Sequence, residues 1–385
     1  MLIRSVLIIL LSLLSLNLNA SFRVRLFYGN KYQTALVRIE SGQYRLEYNN
    51  EKSVTLGEGE LILLTKSGDR VAVNRMSGPG ILADSVRILS LSDTSFVNIR
   101  IPGAKNEEGE YRGDFVFSSS LEVLKIINCI DEENYIAGVV QAEGGYRGHP
   151  EYFKTQAIIA RTYAWLHINR HADEGYHLCD DVHCQVYHGR SVTAIIDSAV
   201  RETGNLVITD KDSLLILTPF HSNCGGQTVS SGDVWLSDLP YLKLVYDPYC
   251  SYSANAEWED TIKLETWLSY LQSHGYTVAG TSAIPGFEQK ERMSDYSIGN
   301  ISIPLTAIRK DFGLRSTFFS FSVEGDILHL KGRGYGHGVG LCQEGAMVMA
   351  KRGFKAGQII NFYYNSVIIT DIDSTRKNKE EKESF

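Results

Sequence analysis

An excess of positive charge is the first thing this sequence lacks. Its 385 residues carry 38 Lys and Arg against 45 Asp and Glu, a formal net charge of -7. Nucleic-acid binding rests on clustered basic side chains that displace counterions from phosphates, so no nucleic-acid partner is expected. Long apolar runs are missing as well. The one at the N-terminus, residues 6–18, is shorter than the ~20 residues needed to span a bilayer as a helix, and no later segment approaches that length. No cysteine lies near Ala20, which argues against a lipid-modified N-terminus. Residues 22–106 contain neither cysteine nor histidine and are a poor place to look for chemistry. No Gly-Lys-Ser/Thr closes a phosphate loop, and no Gly-x-Ser-x-Gly elbow presents a serine nucleophile. There is no internal repeat.

What is present starts with an export signal. Arg4 precedes the apolar run, which ends in Leu18-Asn19-Ala20, a small residue at the cleavage point. Residues 1–20 are therefore expected to be a signal peptide. The mature chain is expected in the periplasm or outside the cell, associated with the wall and without a transmembrane anchor. Export permits disulfides among the six cysteines, at positions 129, 179, 184, 224, 250 and 342. Sequence does not determine the pairing, although Cys224 with Cys250 is one candidate.

The fold class is expected to be α+β. Alternating segments at 22–28, 44–48 and 97–101, separated by turn signals at Gly29 and Gly78, describe a small β-rich domain over 21–106. A mixed α/β domain over 107–372 follows. Its first helix begins after Asp131, a suitable N-cap, and ends at Gly144-Gly145. A second starts at Pro150 and runs to about residue 169. Residues 252–321, with helices near 264–274 and 305–312, read as an inserted lobe. Residues 373–385 are a charged tail with no apolar period and are expected to be disordered.

Four constellations could carry chemistry. Glu143 ends an apolar helix, where the helix dipole and partial burial both favour a protonated carboxyl suited to general acid work. Gly332, Gly334, Gly336, Gly338 and Gly340 alternate around His337, giving a backbone that can turn sharply and admit close approach. Cys179, His183 and Cys184, with His171, His177 and His188 nearby, offer zinc ligands; a Cys179–Cys184 disulfide competes. The run from His221 to Thr228, with two glycines, suits a ligand-facing loop.

The order and wording of these blocks resemble the stage II sporulation protein D family, which includes the amidase enhancers. Residues 134–164 resemble its opening signature, 184–189 its second block, 222–228 with Trp235 and Tyr241 its third, and 334–346 its last. The resemblance implies peptidoglycan as substrate and a lytic transglycosylase as activity. Such an enzyme cuts the MurNAc–GlcNAc bond to a 1,6-anhydro product with one glutamate as acid and base. That glutamate maps onto Glu143. Lys154, Gln156, Arg161, Tyr163, Tyr187, Ser222, His337 and Gln343 are the implied substrate contacts. No cofactor is required, but a structural zinc at Cys179, His183 and Cys184 is implied as the alternative to the disulfide. A relative of the amidase-enhancer type would instead hold glycan strands without cutting them and stimulate a cell-wall amidase as partner. A zinc hydrolase built on the His/Cys cluster is a third reading. Gly144-Gly145-Tyr146 depart from the Met and Pro that relatives often carry after the glutamate.

Overall fold

The computed structural model describes residues 21–49, 52–235, 237–277 and 284–375. The expected signal peptide and residues 376–385 of the tail lie outside them. The chain is mixed α+β and divides into two compact units. Among the described residues, one comprises 21–138 with Asn169–Arg190, and the other Val139–Ile168 with 191–375.

The first unit is built from two antiparallel-rich sheets. One orders its strands Leu178–Cys179, Ser21–Leu26, Val123–Asp131, Asp114–Ser120, Ser85–Ser90, Tyr44–Tyr48 and Lys52–Leu56. The other orders Glu108–Arg112, Phe96–Arg100, Thr34–Ser41, Leu61–Ser67, Arg70–Arg75 and Ile81–Ala83. Period-two alternation supplies the core: Leu46, Ile88 and Phe117 from one sheet and Val37, Leu64, Val73 and Ile99 from the other are fully or almost fully buried. The strand expected at 44–48 is found there, and the one expected at 97–101 is found one residue earlier, at Phe96–Arg100. The boundary expected at residue 106 is not a seam. Ser21–Leu26 pairs with Val123–Asp131, Val24 opposite Asn128, so the first strand of the chain is completed by residues beyond that point. The parallel partner Leu178–Cys179 comes from further still.

Helix α1 (Glu132–Gly144) starts as its cap predicts: the Asp131 carboxylate accepts the Asn134 N–H at 2.9 Å. Helix α2 (Pro150–Leu166) is capped by His149, whose Nδ1 accepts from the Glu151 N–H at 3.2 Å. It ends at Leu166, short of the expected end near 169. Within the second unit α2 packs on α3 (Ala194–Thr203), and Ala157, Ala160 and Ala164 are buried because small side chains let helices approach.

The lobe has its own core. Strands Glu257–Lys263 and Phe319–Glu324 both pair with Ile327–Arg333, and α4 (Leu264–Ser273) and α5 (Leu305–Phe312) contribute apolar faces. Leu328 and Leu330 are part of this core, so the lobe runs past the expected limit at 321. Trp267, 1% exposed, stands at its centre with Tyr296, Phe312 and Phe321 rings each 5.5 Å away. Trp267→Ala is expected to cost the lobe about 4 kcal/mol, through lost transfer energy and an unfilled cavity. Urea unfolding followed by tryptophan fluorescence from the remaining residues should show the loss.

Candidate active site and candidate metal centre

In the second unit the end of α1 is tied to the segments that bear Gln343 and Ser222. Glu143 is half-buried in the last turn, which contains no basic residue. Gly145 follows with φ +82° and donates its N–H to Gln141 O at 3.1 Å, closing the helix. The Tyr152 hydroxyl donates to Gly144 O at 3.4 Å. Burial pushes the Tyr152 phenol up, with the negative charge of Glu143 a lesser cause.

Two further helices, α6 (Gln343–Lys351) and α7 (Ala356–Tyr363), complete this unit's helical layer. Gln343, the first residue of α6, donates from Nε2 to Glu143 O at 3.0 Å, across 200 positions of sequence. Its position is set by the parallel pairing of Phe220–His221 with Leu341–Cys342, and by the Glu344 N–H donating to Ser222 O at 3.0 Å. Ser222 thereby stands beside Gln343. Its hydroxyl accepts from Asn255 Nδ2 at 3.3 Å. Glu344 is the hub of this network, accepting from Asn223 Nδ2 and Asn255 Nδ2, each at 2.6 Å. Sequence reasoning missed Glu344 and Asn255; only adjacency to Gln343 pointed to the first, and nothing to the second.

The glycine-rich segment behaves as its composition suggests. Gly334, Gly336, Gly338 and Gly340 all have φ between +72° and +116°. A Cβ on Gly340 would stand 2.2 Å from Pro219 O, and one on Gly336 2.7 Å from the His221 Cβ. Both left-handed backbone and close approach are therefore required there. His337 is held in this loop with its Nδ1 accepting the Val339 N–H at 3.0 Å. The His221 ring lies 5.5 Å away and Trp235 5.6 Å, an aromatic partner not foreseen for His337.

Burial pushes His337 down to about 4, with Arg309 and Arg292 acting in the same direction. His221 is lowered for the same first reason, with His337, Arg292 and Arg309 adding to it. An unfolded histidine titrates near ~6.5. Between that value and 4 the unfolded chain takes up protons that the folded chain refuses, so stability present above pH ~6.5 is lost as pH falls. Melting temperature measured from pH 7 to 5 should drop, and His337→Gln should drop less steeply than wild type.

Other expected contacts sit elsewhere. Lys154 bridges Glu151 and Glu202, at 3.2 and 2.6 Å. Tyr163 lies against His167, ring centroids 4.3 Å apart. Gln156 is buried beneath the α1–α2 turn, its Cγ 3.6 Å from where a Gly144 Cβ would be. Two assignments are corrected. Arg161 is 0% exposed and its guanidinium donates to Val200 O, Thr203 Oγ1 and Leu206 O, closing the C-terminus of α3. Tyr187, also 0% exposed, belongs to the first unit, where its hydroxyl donates to Asn128 Oδ1 at 3.2 Å. It lines a cavity of about 290 Å³ with Phe27, Tyr28, Tyr111 and Asp180. Neither side chain has surface to offer a sugar.

The first unit carries a candidate metal centre. The ligand atoms of His171, Cys179, His183 and Cys184 all lie within 4.8 Å of one another. Cys184 Sγ is 3.5 Å from His171 Nε2, and His183 Nδ1 is 3.7 Å from both sulfurs. Both cysteines are free thiols. His171, foreseen only as a neighbour, completes the set. Its Nδ1 faces Glu174 Oε1 at 2.6 Å, which leaves Nε2 directed at the sulfurs, the carboxylate–histidine arrangement typical of zinc ligands. Two thiols and two imidazoles fit a tetrahedral zinc. Four protein ligands leave no open position for water, so the donor set does not suit the zinc-hydrolase reading. A second convergence, Cys224, Asp247, Cys250 and Cys342, lies in the other unit.

A family model described as stage II sporulation protein matches residues 120–209, a span that holds Glu143 and the His171–Cys184 ligand set. An uncharacterized protein of Brachyspira hyodysenteriae is 31% identical over 281 residues, covering 70% of this chain and 74% of its own length. The chain belongs to the stage II sporulation protein D family. Within it, stage II sporulation protein D of Bacillus subtilis is 29% identical over 268 residues, 64% of this chain and 77% of that one. A protein of the same organism named amidase enhancer is 27% identical over 289 residues, 61% of this chain and 40% of the relative. Among the described residues, no helix is long and apolar enough to cross a membrane.

Proposed function

We propose that this protein acts on the bacterial cell wall as an exported lytic transglycosylase, cleaving the MurNAc–GlcNAc bonds of peptidoglycan glycan with Glu143 as sole acid and base. The observation that supports the reading is the clamp on the end of α1: Gln343, which follows the strand paired with Phe220–His221, holds the Glu143 carbonyl and so ties the half-buried Glu143 to the segment that bears Ser222. Glu143, protonated, donates to the leaving glycosidic oxygen. The carboxylate so formed takes the proton of the C6 hydroxyl as that oxygen attacks the anomeric carbon. No water is consumed, and no second carboxylate is needed to hold one, unlike an ordinary glycosidase. Glu344, the other carboxylate near Gln343, is occupied by two asparagine amides. Ser222, Gln343 and His337 are the proposed sugar contacts. We also propose that His171, Cys179, His183 and Cys184 hold a structural zinc.

The test is mass spectrometry of glycan incubated with wild type and with Glu143→Gln. Anhydro-ended products from the wild type alone support the reading. Binding of glycan by both proteins, with no new ends from either, would replace it with the second reading. In that reading the protein holds glycan and stimulates an amidase, as the name of the Bacillus subtilis relative suggests.

A further inference from the structure

Four side chains with no part in the proposed reaction meet in the interior of the second unit. Cys224, Cys250 and Cys342 are each 0% exposed and Asp247 is 1% exposed. They arrive from three separate stretches of sequence: the loop after Phe220–His221, the turn at 247–250, and the residue that caps α6. Their ligand atoms lie within 4.8 Å of one another. All three cysteines are free thiols. The Cys224 and Cys250 sulfurs are 3.4 Å apart, and Cys224 Sγ is 3.3 Å from Asp247 Oδ2. Sulfurs bound to zinc at ~2.3 Å stand roughly 3.8 Å apart in a tetrahedron, so a small expansion of this cluster would accommodate the ion.

Backbone donors face two of the three sulfurs. Three backbone N–H groups point at the sulfurs: Gly226 at Cys250, 3.2 Å, and Cys224 and Gly345 at Cys342, 3.3 and 3.4 Å. Such N–H donors stabilise sulfur-bound negative charge and orient metal ligands. Asp247 is oriented by Tyr363, whose hydroxyl donates to Oδ2 at 2.8 Å, and by the Tyr249 N–H on Oδ1 at 2.8 Å. The Arg292 guanidinium, which donates to Cys224 O at 2.7 Å, places a positive charge whose field reaches all three sulfurs. Gly345 is required here as well: a Cβ would stand 2.3 Å from Asp247 Oδ2.

We propose that Cys224, Asp247, Cys250 and Cys342 form a second metal site, a closed tetrahedral Cys₃Asp centre for zinc. Binding releases three thiol protons and involves no change of oxidation state. Three thiolates and a carboxylate outweigh the ion by two negative charges, one of which Arg292 is placed to offset. The centre has a mechanical consequence. Cys342 is the N-cap of α6, directly before Gln343, and Cys224 follows Ser222 by two residues. The ion therefore pins the segment whose Gln343 clamps the Glu143 turn to the Ser222 segment beside it.

The test is the metal content of the full-length protein purified without chelator from zinc-supplemented cells. With the His171 site also loaded, two zinc ions per chain are expected. Cys184→Ser should retain one, and X-ray absorption on that variant should show sulfur and oxygen ligands with no imidazole. Cys342→Ser should lose one ion and keep the imidazole signature of the other. If Cys342→Ser fails to fold, alkylation of native wild type decides: Cys224, Cys250 and Cys342 should react only after a strong chelator is added. The proposal is overturned if Cys184→Ser binds no zinc. It is equally overturned if non-reducing peptide mapping joins Cys224 to Cys250, since two oxidised sulfurs cannot serve as thiolate ligands.

Discussion

Replacing Glu143 with glutamine is expected to abolish anhydro-ended products while leaving the protein folded. General acid–base groups contribute roughly 10²–10⁴-fold to rate, and in the proposed reaction one carboxyl serves both steps, so a loss at the upper end is expected. The fold should survive because the contact that ties Glu143 to Gln343 runs through its backbone carbonyl, which glutamine retains. An amide cannot donate the acid proton or accept the C6 proton. Initial rates of anhydro-product formation measure the first claim and circular dichroism the second. Gln343→Ala is the informative companion. It removes the clamp but no proton-transferring group, and a misplacement near 1 Å can cost ~10²-fold. Its residual activity should keep the wild-type pH profile, which distinguishes a positioning residue from a proton carrier. Equal product from Glu143→Gln and wild type would remove Glu143 from the chemistry.

Loss of the proposed zinc ligands in the first unit should have the largest effect on stability. His171→Ala or Cys184→Ser leaves three ligands where a structural zinc needs four. The segment at stake is Asn169–Arg190, which adds the short strand Leu178–Cys179 to its sheet, paired with Val24 and Arg25. Structural zinc in small peptides contributes about 10–16 kcal/mol of apparent folding energy. A segment with other support needs less. A loss of ~4 kcal/mol would lower the melting temperature by roughly 8–16 °C for a unit of this size. Differential scanning calorimetry of wild type, of each variant, and of wild type with chelator should give matching decreases. Unchanged melting in chelator would remove the structural zinc, and a Cys179–Cys184 disulfide would then be the alternative. Asp180, next to Cys179, accepts the Phe27 and Tyr28 N–H groups, so loosening here should also reach the first strand's exit.

Local pattern carried the parts of this protein that are local. Alternation at 44–48 and 97–101, the Asp131 cap, Pro150 at the start of α2 and the alternating glycines around His337 each act within a few residues, and each is found in place to within one residue. The family was legible for the same reason, since its motifs are short runs in a fixed order. Even α3 was within reach: Ile196, Ala199, Val200 and Thr203 repeat at helical spacing behind Thr193.

What needed the tertiary structure was every pairing between distant runs. Arg161 sits in a signature motif, yet it caps a neighbouring helix instead of reaching solvent, because burial depends on what packs over a face. The proposed fourth ligand, His171, and the meeting of Cys224, Asp247, Cys250 and Cys342 depend on chain crossings that no spacing encodes. The Gln343 contact with Glu143 is of the same kind. Side-chain type and periodicity are written residue by residue, so the sequence alone determined the elements, the candidate acid and the kinship. Which residues share one small volume is set by how the elements pack, and only the folded chain decided that.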